Sequence, residues 1–326
     1  MVRRGAALGR VLVGLLLMGA TTACQRTPVA HAAPARAKEA VAVTPKTLSV
    51  VARHAAWGPD LAVAPEGDLW AAHRRGVLQI WRGDQRVASH PIGGAVRQRL
   101  RFLDVHTILV GGRRIDVGTG QSEDPPPGPT SRASLRLPDG RLAEVVEVRP
   151  PRGGRGPKPG TTLQIGGVTR LAKVSPSLQL IGLSGGALVA LDRRALGIPL
   201  SEGEPEAWLS SDVNLTSYVE MGSARVATDA KGRLWVAREG KATSVQAHEG
   251  AAYAARRGEA LVTGGADGTL TLWRIDPEPE VLAEGAVTAP EGPPPRIEGL
   301  AVAPDGRIFV AVEGRNPEVW VFTVAD

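Results

Sequence analysis

The chain has a single cysteine, Cys24, in 326 residues. One thiol excludes an intramolecular disulfide and any metal site built from clustered thiolates. Aromatic residues are scarce, at 4%. No sustained 3.6-residue hydrophobic period occurs beyond the first two dozen residues, which argues against a helical core. The six histidines show neither H-x-H nor H-x-x-x-H spacing, so a zinc site has little support. No EF-hand-type calcium loop, serine nucleophile elbow or phosphate loop is expected, and neither a metal nor a cofactor is assigned. Charge of one sign is also limited. The formal net charge is +6, and Arg3, Arg4 and Arg10 account for three of it. The remaining +3 is too small and too scattered for a nucleic-acid surface.

What the chain has in quantity is glycine, with 40 residues, and proline, with 26. Both favour many turns over long helices. Hydrophobic residues at 43% and charged residues at 22% are ordinary for a globular protein, and the length suits one large domain with a sizeable core.

Residues 1–24 combine a basic start, an apolar run from Val11 to Ala20, and small residues before Cys24. Such a run is too short to span a bilayer, which takes roughly twenty residues, and it fits a secretory leader. Thr21-Thr22-Ala23-Cys24 resembles the lipobox of bacterial lipoproteins, with Thr21 where that motif prefers Leu. The resemblance implies removal of residues 1–23, lipidation of Cys24 and anchoring to a membrane. With Gln25 rather than Asp after the cysteine, it implies the outer membrane of a Gram-negative bacterium. Residues 24–45 are rich in Ala and Pro and are expected to form a flexible tether.

From residue 46 to 326 one pattern recurs: a short apolar strand, a turn ending in Gly, then a strand opening on an aromatic residue. It runs from Leu61 to Trp70, from Val226 to Trp235 and from Leu300 to Phe309, which places Trp70, Trp235 and Phe309 as equivalents. Further alternating strands follow each copy, and weaker copies fill the gaps. Centres near Leu69, Leu109, Leu142, Ile181, Leu234, Leu261 and Ile308 give seven units of roughly 40 residues. That period predicts an all-β β-propeller, its blades four-stranded antiparallel sheets. The spacing is uneven: about 53 residues separate the fourth and fifth centres and about 27 the fifth and sixth. Six or eight blades therefore also fit. The last unit ends after a third strand, and Thr47–Arg53 is expected to supply its fourth, closing the ring and removing an open edge.

Residues 247–275 resemble a WD40 repeat. The match consists of His248 in the opening loop, Thr263 on a strand, Asp267 in an Ala-Asp-Gly turn, and Trp273 on the next strand. In that family these four side chains form a hydrogen-bonded structural tetrad, so the resemblance implies one here. Arg274 stands where the family has Asp, and Ala247 where it has Gly. A hydroxyl, a histidine and an acid also suggest a catalytic triad, but the spacing is that of the tetrad. The units around Trp70 and Trp235 are similar to periplasmic sensor propellers of two-component regulators.

No catalytic residue is assigned. The chemistry is expected in loops, because propeller faces bind through them. Arg149, Arg152, Arg155 and Lys158 make a basic, proline-rich loop that could meet an anionic lipid or an acidic partner. The expected function is a non-catalytic protein-interaction scaffold in the cell envelope. Its partners would be envelope proteins and, through the lipid, the membrane. The alternatives are a sensory ligand-binding propeller and a lactonase-like hydrolase with a divalent ion at the central channel. For the hydrolase, Glu298 and Asn214 are the candidate ligands.

Overall fold

The computed structural model describes residues 45–56, 58–92, 99–111, 113–122, 131–148, 160–288, 292–314 and 316–325. These contain 27 strands and no helix. After β1 (Lys46–His54) the strands form up-and-down meanders. The first holds β2 (Asp60–Val63), β3 (Leu69–Arg74), β4 (Val77–Arg82) and β5 (Gln85–Pro91). A three-stranded sheet follows: β6 (Leu100–Phe102), β7 (Thr107–Val110) and β8 (Arg113–Asp116). Next come β9 (Ser131–Arg136), β10 (Leu142–Val148), β11 (Gly160–Ile165) and β12 (Val168–Leu171). The fourth sheet is β13 (Gln179–Ser184), β14 (Ala187–Leu191), β15 (Arg194–Pro199) and β16 (Glu206–Ser210). The fifth is β17 (Leu215–Met221), β18 (Ala224–Asp229), β19 (Arg233–Arg238) and β20 (Lys241–Gln246).

The remaining strands share an eight-stranded sheet that resolves into two meanders. One is β21 (Ala252–Arg257), β22 (Ala260–Gly265), β23 (Thr269–Arg274) and β24 (Glu280–Ala286). The other is β25 (Arg296–Val302), β26 (Ile308–Glu313) and β27 (Glu318–Val324), completed by β1. β1 runs antiparallel to β27 from Leu48↔Val324 to His54↔Val319. It meets β24 in parallel through Lys46↔Ala283 and Thr47↔Glu284. The N-terminal strand therefore sits beside the last one, where the spare strand at residues 47–53 was expected.

The first strands of successive meanders pack together: β9 on β13, β17 on β21, β21 on β25, β25 on β2 and β2 on β6. At Gly299 on β25 the approach is closest. A Cβ there would stand 1.9 Å from the carbonyl oxygen of Pro59, so no side chain fits. Alternate side chains of a strand serve opposite faces, and in the β2–β5 sheet both faces are buried against neighbours. On β3, Leu69 and Ala71 join Leu78, Ile80, Ile108 and Ile115 in one core cluster. Trp70 and Ala72 instead join Trp81, Phe309 and Val319 in another. β1 contributes to that side as well, since His54 lies 5.0 Å from the Trp70 ring, ring centroid to ring centroid.

The three strongest sequence repeats are not at equivalent places. Trp70 and Phe309 open the second strand of their sheets, whereas Trp235 lies on the third strand, β19. The shared motif encodes a tight hairpin, and a hairpin can join strands one and two or strands two and three. That ambiguity explains the uneven spacing of the expected centres. Ile181 is on a first strand and Leu234 on a third, so the interval between them spans extra strands.

The Asp-Gly-Arg turns do more than reverse the chain. Asp305 accepts the Arg307 amide at 2.9 Å and its Nε at 2.6 Å, while Arg307 Nη2 donates to the Gly67 carbonyl of the first meander at 3.0 Å. Asp139 holds Arg141 in the same way, at 3.0 and 2.8 Å, and Arg141 Nη1 donates to the Leu200 carbonyl of the next sheet at 3.1 Å. Each turn thus aims a guanidinium at a neighbouring sheet. Gly306 makes this turn possible at φ 86°, a conformation that side chains with a Cβ rarely adopt.

Candidate functional site

The tetrad expected from the WD40-like unit is assembled between β22, β23 and the loop before β21. Trp273 Nε1 donates to Thr263 Oγ1 at 2.8 Å, and Thr263 Oγ1 lies 2.7 Å from His248 Nε2. His248 Nδ1 does not bond Asp267 directly, since the two are 3.6 Å apart. Thr269 stands between them, with Oγ1 2.7 Å from His248 Nδ1 and 2.7 Å from Asp267 Oδ1. A hydroxyl has one proton. Thr269 gives its proton to the carboxylate, so His248 must donate from Nδ1 and accept from Thr263 at Nε2. The relay therefore runs in one direction, Trp273 to Thr263 to His248 to Thr269 to Asp267, and it fixes the histidine tautomer.

Burial holds His248 below its ordinary value, with Asp267 opposing, and so keeps the ring neutral. Burial works against ionisation of Asp267 too. The amides of Glu249 and Thr269 and the Thr269 hydroxyl outweigh it and keep that carboxyl below the usual carboxylate range. Polarity alone would also suit a triad, whose hydroxyl likewise donates to a histidine. The hydroxyl of a triad must be open to its substrate. Thr263 is fully buried and His248 nearly so, and Thr263 Oγ1 already accepts from the Trp273 indole. Thr269 was not among the expected residues. Its signal was the Asp-Gly-Thr turn, in which Asp267 also accepts the Thr269 amide at 3.0 Å.

A second buried network in the preceding sheet was missed entirely. Asp229, at the end of β18, is fully buried. Its carboxylate accepts the amides of Lys231 and Arg233 at 2.9 and 3.0 Å, Arg233 Nε and Trp235 Nε1 at 2.8 Å each, and Ser211 Oγ at 3.2 Å. Burial raises the cost of its charge, but the indole N–H, the two amides and the guanidinium overcome this, and the carboxyl is held below its usual range. In sequence, Asp-Ala-Lys-Gly looks like a turn and nothing more.

One expectation needs correction. Gly182-Leu-Ser-Gly-Gly186 does carry the G-x-S-x-G spacing, although no nucleophile elbow was expected. The elbow requires a strand, a sharp turn and a helix. Here β13 turns directly into β14, a second strand. Ser184 is buried, and its hydroxyl is bonded to the carboxylate of Glu220. The spacing arises from a Gly-Gly hairpin, not from an exposed nucleophile.

Of the other candidates, Asn214 lies just before β17 and is exposed, and Glu298 is half-buried on β25. Among the described residues no group of three or more His, Cys, Asp or Glu is placed to hold a metal ion. Cys24 and the basic loop with Arg149, Arg152, Arg155 and Lys158 lie outside the described residues. Of the meander around that loop, β10 and β11 pair up to Val148↔Gly160. Searches of protein-family models and of curated proteins return no match for this chain.

Proposed function

We propose that the chain is a membrane-anchored, extracytoplasmic β-propeller that acts as a non-catalytic interaction scaffold in a bacterial cell envelope. Its seven blades would be the five separate sheets and the two meanders of the eight-stranded sheet. The ring closes where β1 supplies the fourth strand beside β27. Residues 1–23 are a lipoprotein leader, and Cys24 carries the lipid. Burying acyl chains at about 0.8 kcal/mol per CH₂ makes several chains a stable anchor. The protein would present rigid loops around the ring to envelope proteins, on a search confined to the membrane surface.

The observation that carries the non-catalytic reading is the closed relay at Thr263. In the hydroxyl–histidine–acid set that most resembles a catalytic apparatus, Thr263 and His248 are buried, and the Thr263 hydroxyl and both ring nitrogens of His248 are bonded within the fold. The WD40-like unit thereby serves the scaffold, which leaves the loops free to vary.

Fractionation tests the anchored half of the proposal. Wild-type protein should remain with membranes through detergent-free washing, with a mature N-terminus at Cys24 that carries acyl mass. Cys24→Ser should appear in the soluble fraction. Retention of Cys24→Ser on washed membranes would contradict lipid anchoring through this residue.

A further inference from the structure

Outer strands of a sheet expose unpaired amides and carbonyls, and proteins blunt them with bulges, prolines, charges or a covering segment. The other fourth strands here are blunted. β5, β12, β16, β24 and β1 each join their third strand through a break in register. β5 also ends on Pro91, and β24 is met by the start of β1. β20 differs. It pairs with β19 without interruption from Arg233↔Gln246 to Arg238↔Lys241, and it ends the β17–β20 sheet. All six of its residues, Lys241-Ala-Thr-Ser-Val-Gln246, are exposed, including Val245.

The ladder shows which groups face outward. Ala247 N donates to Gly232 O at 3.0 Å, so the odd-numbered residues here turn their backbone toward β19. Because the pattern alternates along an antiparallel pair, the amides and carbonyls of Ala242, Ser244 and Gln246 point off the edge, which no other strand among the described residues covers. An incoming antiparallel strand must oppose them with residues that are likewise turned outward.

A second copy of β20 meets that condition about a two-fold axis at Ser244. Ser244 then faces its own counterpart, Ala242 faces Gln246, and Thr243 faces Val245. The outward residues match outward residues at every step, giving three mutually hydrogen-bonded pairs. The β-branched pair suits strand packing. Lys241, the one charge, falls beyond the ladder opposite Ala247, so the two lysines never meet. Gln246 brings no charge, and its side chain is already tied to the Lys231 carbonyl at 2.8 Å. We infer that β20 is a homodimerisation edge, through which two copies join their β17–β20 sheets into one continuous eight-stranded sheet. Such an interface is isologous and closes on itself, and backbone pairing supplies the attraction, as in other cases of strand addition.

The test uses the full chain in three variants and reads register as well as mass. Residues facing each other in a hydrogen-bonded antiparallel pair have Cα atoms about 5.5 Å apart, within disulfide reach. At position 245 the two copies are diagonal neighbours, with Cα atoms about 7–8 Å apart and out of reach. Wild-type protein should sediment as a dimer at micromolar concentration. Ser244→Cys should form a disulfide-linked dimer under mild oxidation, while Val245→Cys, which carries the same Cys24, should not. Ser244→Lys, which sets two ammonium groups face to face on the axis, should be monomeric and still unfold cooperatively, at a midpoint that no longer depends on protein concentration. The inference is overturned by a monomeric wild type, by a dimeric Ser244→Lys, or by cross-linking of Val245→Cys as fast as Ser244→Cys.

Discussion

Trp81 and Trp273 occupy the same place in different sheets, yet their indole N–H groups have opposite fates. Each is the fifth residue of a third strand, in Leu78-Gln-Ile-Trp81-Arg and Leu270-Thr-Leu-Trp273-Arg. Each follows a break in register with the outer strand, and each is 7% exposed. Trp273 donates to Thr263, whereas Trp81 Nε1 is buried with no partner among the described residues. Trp81 lies instead against Trp70, with ring centroids 5.1 Å apart and planes at 11°. One position can thus serve a polar relay in one sheet and an aromatic core in another.

Trp→Phe substitutions should separate the two roles. Trp273→Phe removes a bond and leaves the buried Thr263 hydroxyl short of a donor, at a cost of about 1–3 kcal/mol beyond the loss of ring volume. Trp81→Phe loses the same volume but also removes a buried N–H that has no partner among the described residues. It should destabilise less, and chemical denaturation of both variants measures the difference.

Acid should weaken the fold through three groups acting in the same direction. Asp229 and Asp267 titrate below their ordinary range in the folded chain. Their contribution is complete above the ordinary carboxylate range and is lost as pH falls through the folded values. His248 also titrates below its ordinary value of 6.5. The unfolded chain therefore takes up that proton first, and stability declines as pH drops below 6.5. Asp229→Asn should cost about 3–5 kcal/mol near neutral pH, the range for removing one side of a buried charged network. It should also flatten the acid limb of a plot of stability against pH.

Arg307 should matter more than an exposed turn residue would. Arg307→Met removes the bond to the Gly67 carbonyl and leaves Asp305 without its guanidinium. A loss of about 1 kcal/mol is expected, the typical net contribution of a hydrogen bond. Arg307→Lys should recover little, because an ammonium cannot hold Asp305 and reach Gly67 together.

The turns and the apolar strands were legible in the sequence, because a Pro-Asp-Gly hairpin and an alternating strand are local patterns. The His248–Thr263–Trp273 contacts were legible through their resemblance to a known repeat. What a local motif does not encode is its place in the meander, and for that reason Trp235 looked equivalent to Trp70. Long-range partners were hidden for the same reason. Nothing beside Arg307 announces Gly67, and nothing beside Ser184 announces Glu220. Thr269 was hidden for another reason: a threonine after Asp-Gly satisfies the turn whether or not a histidine lies above it.

The most direct test of the scaffold account is affinity capture of the tagged full chain from gently cross-linked native envelopes, read by mass spectrometry against an unrelated lipoprotein. The account predicts a reproducible envelope protein whose recovery is unchanged by Thr263→Val, because the relay is structural, and falls for Cys24→Ser, because the membrane no longer confines the search. Recovery of no specific protein, together with turnover of an ester or lactone substrate that depends on a bound divalent ion, would contradict it.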